Sequence, residues 1–106
     1  MAKQFTDANF QTEVINSTLP SIVDFWAPWC GPCRLMGPII DAVAKQFEGK
    51  INIGKVNVDE NPNIPGEYSI MSIPTIIFFK DGKNIHQEVG TITQEQLESK
   101  IKSLLL

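Results

Sequence analysis

Residues 21–33 read SIVDFWAPWCGPC and contain the only two cysteines of the chain, Cys30 and Cys33. Their spacing allows one helical turn to bring the two sulfurs within bonding distance. A disulfide that closes so short a loop stabilises a fold by only roughly 2 kcal/mol. A bond that adds little stability but can open and close indicates chemistry, so we interpret the pair as a redox-active dithiol.

The first part of this stretch, residues 21–27, predicts a central β-strand. Apolar residues occupy both of its alternating sets, which is typical of a strand covered on both faces. Asp24 stands in the middle of this strand, and burial disfavours a charged carboxylate, so we expect its pKa to be raised. Such a carboxyl can take up and return protons near neutral pH. The alternative is a polar residue on a strand that reaches water.

The second part of the stretch leads into a helix predicted over residues 32–48. Its apolar residues Leu35, Ile39, Val43 and Phe47 recur every four positions, with Met36, Ile40 and Ala44 beside them. Pro32 suits the first turn, whereas Pro38 predicts a kink. The sulfur of Cys30 is expected beside unpaired backbone N–H groups and the positive end of the helix dipole, both of which favour a thiolate.

The rest of the chain continues to alternate strands and helices. The elements predicted before residue 60 are a strand near 3–5, a helix capped by Thr6 or Asp7 and ending near Asn16, and a strand at 51–58. Those predicted after it are a short helix opened by Asn61-Pro62, a strand at 75–79, a hairpin turn at Asp81-Gly82, a strand at 84–89 and a last helix with a Thr93/Gln96 capping box.

This order of elements predicts the fold class. An alternating first half implies parallel strands joined by crossover helices, and the terminal hairpin adds antiparallel strands. We therefore predict one α/β domain over residues 1–106. Its central mixed five-stranded sheet is flanked by four helices.

Composition excludes several functional classes. The 106 residues are 42% hydrophobic and carry a net charge of −3 without a basic cluster, so nucleic-acid binding has no electrostatic support. Apolar runs are too short for a membrane span, and residues 1–5 lack the apolar core of a signal peptide. Two cysteines do not make a secreted disulfide framework, which favours a reducing cytoplasm.

Metal and nucleotide cofactors are not expected either. Structural zinc takes four ligands, and Cys30, Cys33 and a distant His86 provide only three. We expect His86 to face solvent on an edge strand. No glycine-rich nucleotide-binding motif occurs, so the chain is expected to bind no cofactor.

The chain resembles the thioredoxin family over essentially its whole length. WCGPC at residues 29–33 matches the active-site motif of the family, and Asp24 matches its buried acid. Further family positions match in order, namely Lys55, Asp59, Asn61-Pro62, Ile73-Pro74-Thr75, Asp81-Gly82 and Gly90. The resemblance implies a thioredoxin fold and thiol–disulfide exchange, in which a thiolate attacks a disulfide.

The resemblance also gives individual residues their expected roles. We assign Cys30 as the nucleophile and Cys33 as the resolving thiol, with Gly31 and Pro32 between them. Asp24 is then expected to accept the proton of Cys33, and Lys55 to moderate the pKa of Asp24. Pro74 is expected to be cis and to leave the Ile73 backbone free for a substrate strand. The expected substrate rim comprises Trp29, Ile73, Pro74, Val89, Gly90 and Thr91.

The partners implied by the resemblance are client proteins with disulfides and a thioredoxin reductase, which is either flavin-dependent or ferredoxin-linked. We expect the protein itself to be a monomer. Met71 and Thr91 depart from residues common in the family, which bears on partner preference.

Two alternative functions stay open. One is an oxidase or isomerase on the same fold, although in this family Gly-Pro between the cysteines goes with reducing members. The other is a binding or assembly subunit with an idle dithiol.

Overall fold

A five-stranded mixed sheet organises the computed structural model, which describes residues 2–106. Its strands are β1 (Lys3–Gln4), β2 (Ser21–Trp26), β3 (Asn52–Asn57), β4 (Thr75–Lys80) and β5 (Lys83–Val89). They are ordered β1-β3-β2-β4-β5. The first three run parallel, and β4 and β5 are antiparallel additions. The predicted mixed sheet with β2 at its centre is confirmed.

Four helical segments flank the sheet, as predicted. They are a π-helical turn at Gln11–Ile15, α1 (Gly31–Gln46), α2 (Asn63–Glu67) and α3 (Gln94–Leu105). The first differs in type from the predicted α-helix, because the Asn16 N–H donates to the Gln11 carbonyl, five residues back, at 2.9 Å. The predicted capping box of α3 is confirmed, since Thr93 and Gln96 exchange side-chain to backbone hydrogen bonds. None of the helices described is long and apolar enough to cross a bilayer.

The cap of α2 was predicted incorrectly. The sequence assigned it to Asn61, but the carboxylate of Asp7 accepts the first two helical N–H groups, from Asn63 at 3.1 Å and Ile64 at 3.0 Å. The side chain of Asn61 instead accepts the Asp7 N–H at 2.9 Å. A distant acid therefore caps this helix and ties it to the segment after β1.

Two hydrophobic clusters cover opposite faces of the sheet. One contains Ile22 of β2 together with Ile40 of α1 and Leu97 of α3. The other contains Val23 and Phe25 of β2. Since side chains alternate along a strand, Asp24 lies on the same face as Ile22, beneath α1. This placement buries the acid next to the helix that carries the cysteines.

The prediction that His86 faces solvent is wrong. Its imidazole is half-buried, packs edge-on against Phe78 at a centroid distance of 5.3 Å and pairs with the Glu88 carboxylate. The hydrogen bond from His86 holds the pKa of Glu88 below its ordinary value. A bulge opposite Phe78 and Phe79 shifts the strand register, and Ile85 and Val89 are exposed on β5 instead.

Gly54 of β3 is required by close packing, because a Cβ there would lie 2.5 Å from the buried ring of Phe5. We expect Gly54→Ala to lower the free energy of unfolding by about 1–3 kcal/mol, since the added methyl group forces the buried ring to shift. Urea denaturation would measure the loss. Gly66→Ala in α2 is the matched control, because a Cβ there has nothing within 4 Å. Equal stability of the two variants would contradict this packing.

Candidate active site

The two cysteines are joined by a disulfide at the N-terminus of α1, where Cys30 is the N-cap residue. Cys30 has extended backbone, and its sulfur accepts the N–H of Cys33 at 3.3 Å. Gly31 and Pro32 form the first turn, and Pro32 removes one N–H that would be unpaired there. The expected N–H donor beside the Cys30 sulfur is therefore present. In the reduced protein it would stabilise a thiolate.

Exposure distinguishes the two cysteines less than expected. Cys30 is 5% exposed and Cys33 is 3% exposed, because the pair packs against Trp26, Val58 and Ile73. Their surroundings differ more. Cys30 lies beside the substrate rim, with its sulfur 3.9 Å from the Ile73 carbonyl oxygen. Cys33 lines a partly open cavity that it shares with Asp24.

This partly open cavity connects Cys33 with the buried acid. It has a volume of about 120 Å³ and is lined by Asp24, Trp26, Cys33, Arg34, Gly37 and Lys55. Asp24 is 1% exposed, and its Oδ1 forms no hydrogen bond within residues 2–106. Burial raises the pKa of Asp24 from 3.8 to about 7, against a lowering by the Lys55 cation and with a further rise from Asp41. The acid can thus change protonation near neutral pH.

Lys55, which the resemblance implied as a partner of Asp24, lies directly opposite it in the β2–β3 register. Its ion pair, however, is with Asp41 of α1, at 3.3 Å between Nζ and Oδ1. Sequence reasoning missed Asp41. A signal was available, because Asp41 follows Cys33 by eight residues, close to two helical turns, and so shares its face of α1.

Two of the loops expected to form the substrate rim meet beside Cys30. The Ile73–Pro74 peptide bond is cis, as the resemblance implied. The Gly90 N–H donates to the Pro74 carbonyl at 2.8 Å, which joins the two loops of the rim. The Ile73 N–H makes no hydrogen bond to any described residue. Gly90 has a φ of 91° and open space where a Cβ would stand. Val89 and Thr91 on either side of it are exposed.

Trp29, the residue before Cys30, is also part of the expected rim. It is 67% exposed, and its indole N–H donates to the Asp59 carboxylate at 3.0 Å. The sequence matched Asp59 to the family but gave it no role. Trp29 and Ile73 also line a largely apolar groove with Val58, Pro65, Ile70, Met71 and Ser72. The Asp59 carboxylate therefore fixes the indole at the edge of this groove.

No group of three or more His, Cys, Asp or Glu side chains in residues 2–106 is arranged to hold an ion. The chemistry available at the site is that of two sulfurs, a buried acid and a helix N-terminus. Together with the mixed sheet, these features define the class of protein as a thiol–disulfide oxidoreductase.

Comparison with known proteins agrees with this class. The family model described as Thioredoxin matches residues 1–103. A thioredoxin of Porphyra purpurea is 48% identical over 96% of this chain and 95% of its own length. Thioredoxin 1 of a Nostoc species is 47% identical over 98% and 97%. A thioredoxin of Rickettsia felis is 53% identical over 85% and 86%. The chain belongs to the thioredoxin family.

Membership carries the general activity of the family, which is protein-disulfide reduction through a dithiol. Disulfide-containing substrates and a thioredoxin reductase are the partners that this activity implies. Nothing in the comparisons favours the oxidase, the isomerase or the subunit with an idle dithiol.

Proposed function

We propose that this protein is a cytoplasmic, monomeric disulfide reductase in which one domain, residues 1–106, carries out the exchange without a bound cofactor. Cys30 is the nucleophile, Cys33 is the resolving thiol and Asp24 is the proton acceptor. The observation that carries the proposal is the Cys30–Cys33 disulfide between an open rim and a cavity that contains the buried Asp24.

The first step is attack by the Cys30 thiolate on a disulfide sulfur of the client. A mixed disulfide forms, and the other client sulfur leaves as a thiolate. The Cys33 N–H, which already points at the Cys30 sulfur, supports this choice of nucleophile. The client segment is expected to pair with the free backbone of Ile73 and to cover Trp29, Pro74, Val89, Gly90 and Thr91.

The second step is attack by Cys33 on the Cys30 sulfur. The bond between Cys30 and the client breaks, the second client sulfur leaves as a thiolate, and the Cys30–Cys33 disulfide forms. Two electrons have then passed from the dithiol to the client, and a thioredoxin reductase returns them. Cys33 must lose its proton before it attacks, and the Asp24 carboxylate across the shared cavity accepts that proton.

Asp24→Asn is expected to slow the second step roughly 10²-fold near pH 7, because the amide cannot take the proton of Cys33. Stopped-flow reduction of a protein disulfide between pH 6 and pH 8 would measure the rate. The control is the first step, followed in a Cys33→Ser background, which Asp24→Asn should leave unchanged. An unaltered second step across this range would contradict the role of Asp24.

A further inference from the structure

One face of α1 carries three residues spaced four apart, Cys33, Gly37 and Asp41. Residues at this spacing follow one another along a helix surface. Gly37 lines the cavity between Cys33 and Asp24, and a Cβ on Gly37 would lie 3.8 Å from the Lys55 ammonium. The lysine therefore passes over the helix at Gly37. Its ammonium pairs with the third member of the row, Asp41.

Asp41 is itself held in place. Its Oδ1 accepts the backbone N–H of Ala2 at 3.3 Å as well as the Lys55 ammonium at 3.3 Å. Lys55 is mostly buried, with 17% of its side chain exposed, whereas Asp41 reaches solvent. The structure has no ion pair between Lys55 and Asp24 among the residues it describes. The cation is thus fixed by a carboxylate other than the one assigned to proton transfer.

We propose that Asp41 is a positioning residue for the dithiol chemistry, whose carboxylate holds the Lys55 ammonium at the edge of the cavity and limits its action on Asp24. This inference rests on the proposed role of Asp24. Without Asp41, the positive charge of Lys55 would be uncompensated and would act on Asp24 at full strength. Asp24 would then give up its proton at a lower pH and be a weaker acceptor near neutrality.

The charged groups around Asp24 act in opposite directions. Lys55 of β3 lowers its pKa, and Asp41 of α1 raises it. Arg34 of α1 lines the same cavity, but its guanidinium donates to the Pro28 carbonyl at 3.1 Å. On the other side, β4 places the apolar Ile76 opposite Asp24. Asp41 and Lys55 are therefore the charges whose removal should move the titration of Asp24, and they should move it in opposite directions.

The test is a ¹³C NMR titration of the Asp24 carboxyl in the oxidised protein. Asp41→Asn is expected to move the midpoint down by about 0.5–1 pH unit, less than a fully buried charge would, because Asp41 reaches solvent. Lys55→Gln should move it up, and Asp41→Glu should restore the wild-type midpoint. Glu48→Gln, an equal change in net charge at an exposed site after α1, should not move it. A midpoint that stays in place or rises in Asp41→Asn overturns the proposal.

A kinetic readout separates this proposal from the role of Asp24 itself. The pH dependence of the second exchange step should shift in Asp41→Asn in the same direction as the midpoint of Asp24. If the midpoint moves but the rate profile does not, then Asp24 is not the proton acceptor, and the proposed mechanism fails. If the rate profile depends on Asp24 but the midpoint ignores Asp41, only the positioning role fails.

Discussion

Cys30→Ser is expected to lower protein-disulfide reductase activity by roughly 10³-fold or more, because a serine hydroxyl is not ionised near pH 7 and cannot replace the attacking thiolate. The geometry explains why Cys33 cannot take over. Cys33 lies against the cavity that holds Asp24, while Cys30 lies beside Ile73 and the rim. Reduction of a protein disulfide, followed by turbidity or fluorescence with a chemical reductant as electron source, would measure the loss.

Cys33→Ser is the matched variant and should give a different result. Cys30 can still attack, so the mixed disulfide with the client forms, but no second thiol releases it. The complex should therefore accumulate on non-reducing gels with Cys33→Ser and be absent with Cys30→Ser. Trapping by Cys30→Ser instead would reverse the assignment of nucleophile and resolving thiol. Full activity of both variants would mean that the dithiol is idle.

The parts of this site that could be predicted depend on residues that are close together in the sequence. The spacing of Cys30 and Cys33, the helix signal at Pro32 and the apolar run around Asp24 each act within a few residues. Local rules of helix termini and strand burial therefore predicted the N–H donor beside the Cys30 sulfur and the raised pKa of the acid. The cis bond before Pro74 was expected from the family resemblance alone, since sequence statistics favour trans.

The parts that could not be predicted depend on side chains from separate elements. Lys55 has two carboxylates in reach, Asp24 on the neighbouring strand and Asp41 on the overlying helix, and only the packing of α1 on the sheet decides which one it pairs with. Asp7 caps α2 in the same way, from more than fifty residues away. Helical spacing places Asp41 on the face of α1 that carries Cys33, but local sequence does not indicate which distant residue either Asp41 or Asp7 contacts. The low exposure of Cys30 has a similar origin, because Ile73 and Val58 come from distant segments.

Asp24→Asn is expected to stabilise the folded protein by about 4 kcal/mol at pH 8 and by little at pH 4. In the folded state the pKa of Asp24 is raised by burial to about 7, whereas its ordinary value is 3.8. Between these values the folded protein holds a proton that the unfolded chain has released. Stability therefore falls as the pH rises from about 4 to about 7, and it changes little above that range. About three pKa units at 1.36 kcal/mol each give the expected total.

The neutral amide of Asn removes the free-energy cost of ionising a buried carboxyl. The gain in folding stability from Asp24→Asn should therefore grow over the same pH range in which Asp24 ionises. Urea denaturation of the oxidised proteins at pH 4, 6 and 8 would measure it, with Glu48→Gln as a control whose stability should follow that of the wild type. An advantage of equal size at all three pH values would show that packing, not ionisation, is responsible. The same charge that costs stability at pH 8 is the one the second exchange step requires, because only the ionised carboxylate can accept the proton of Cys33. A gain in stability with a slower second step would therefore locate both effects in the protonation of one buried acid.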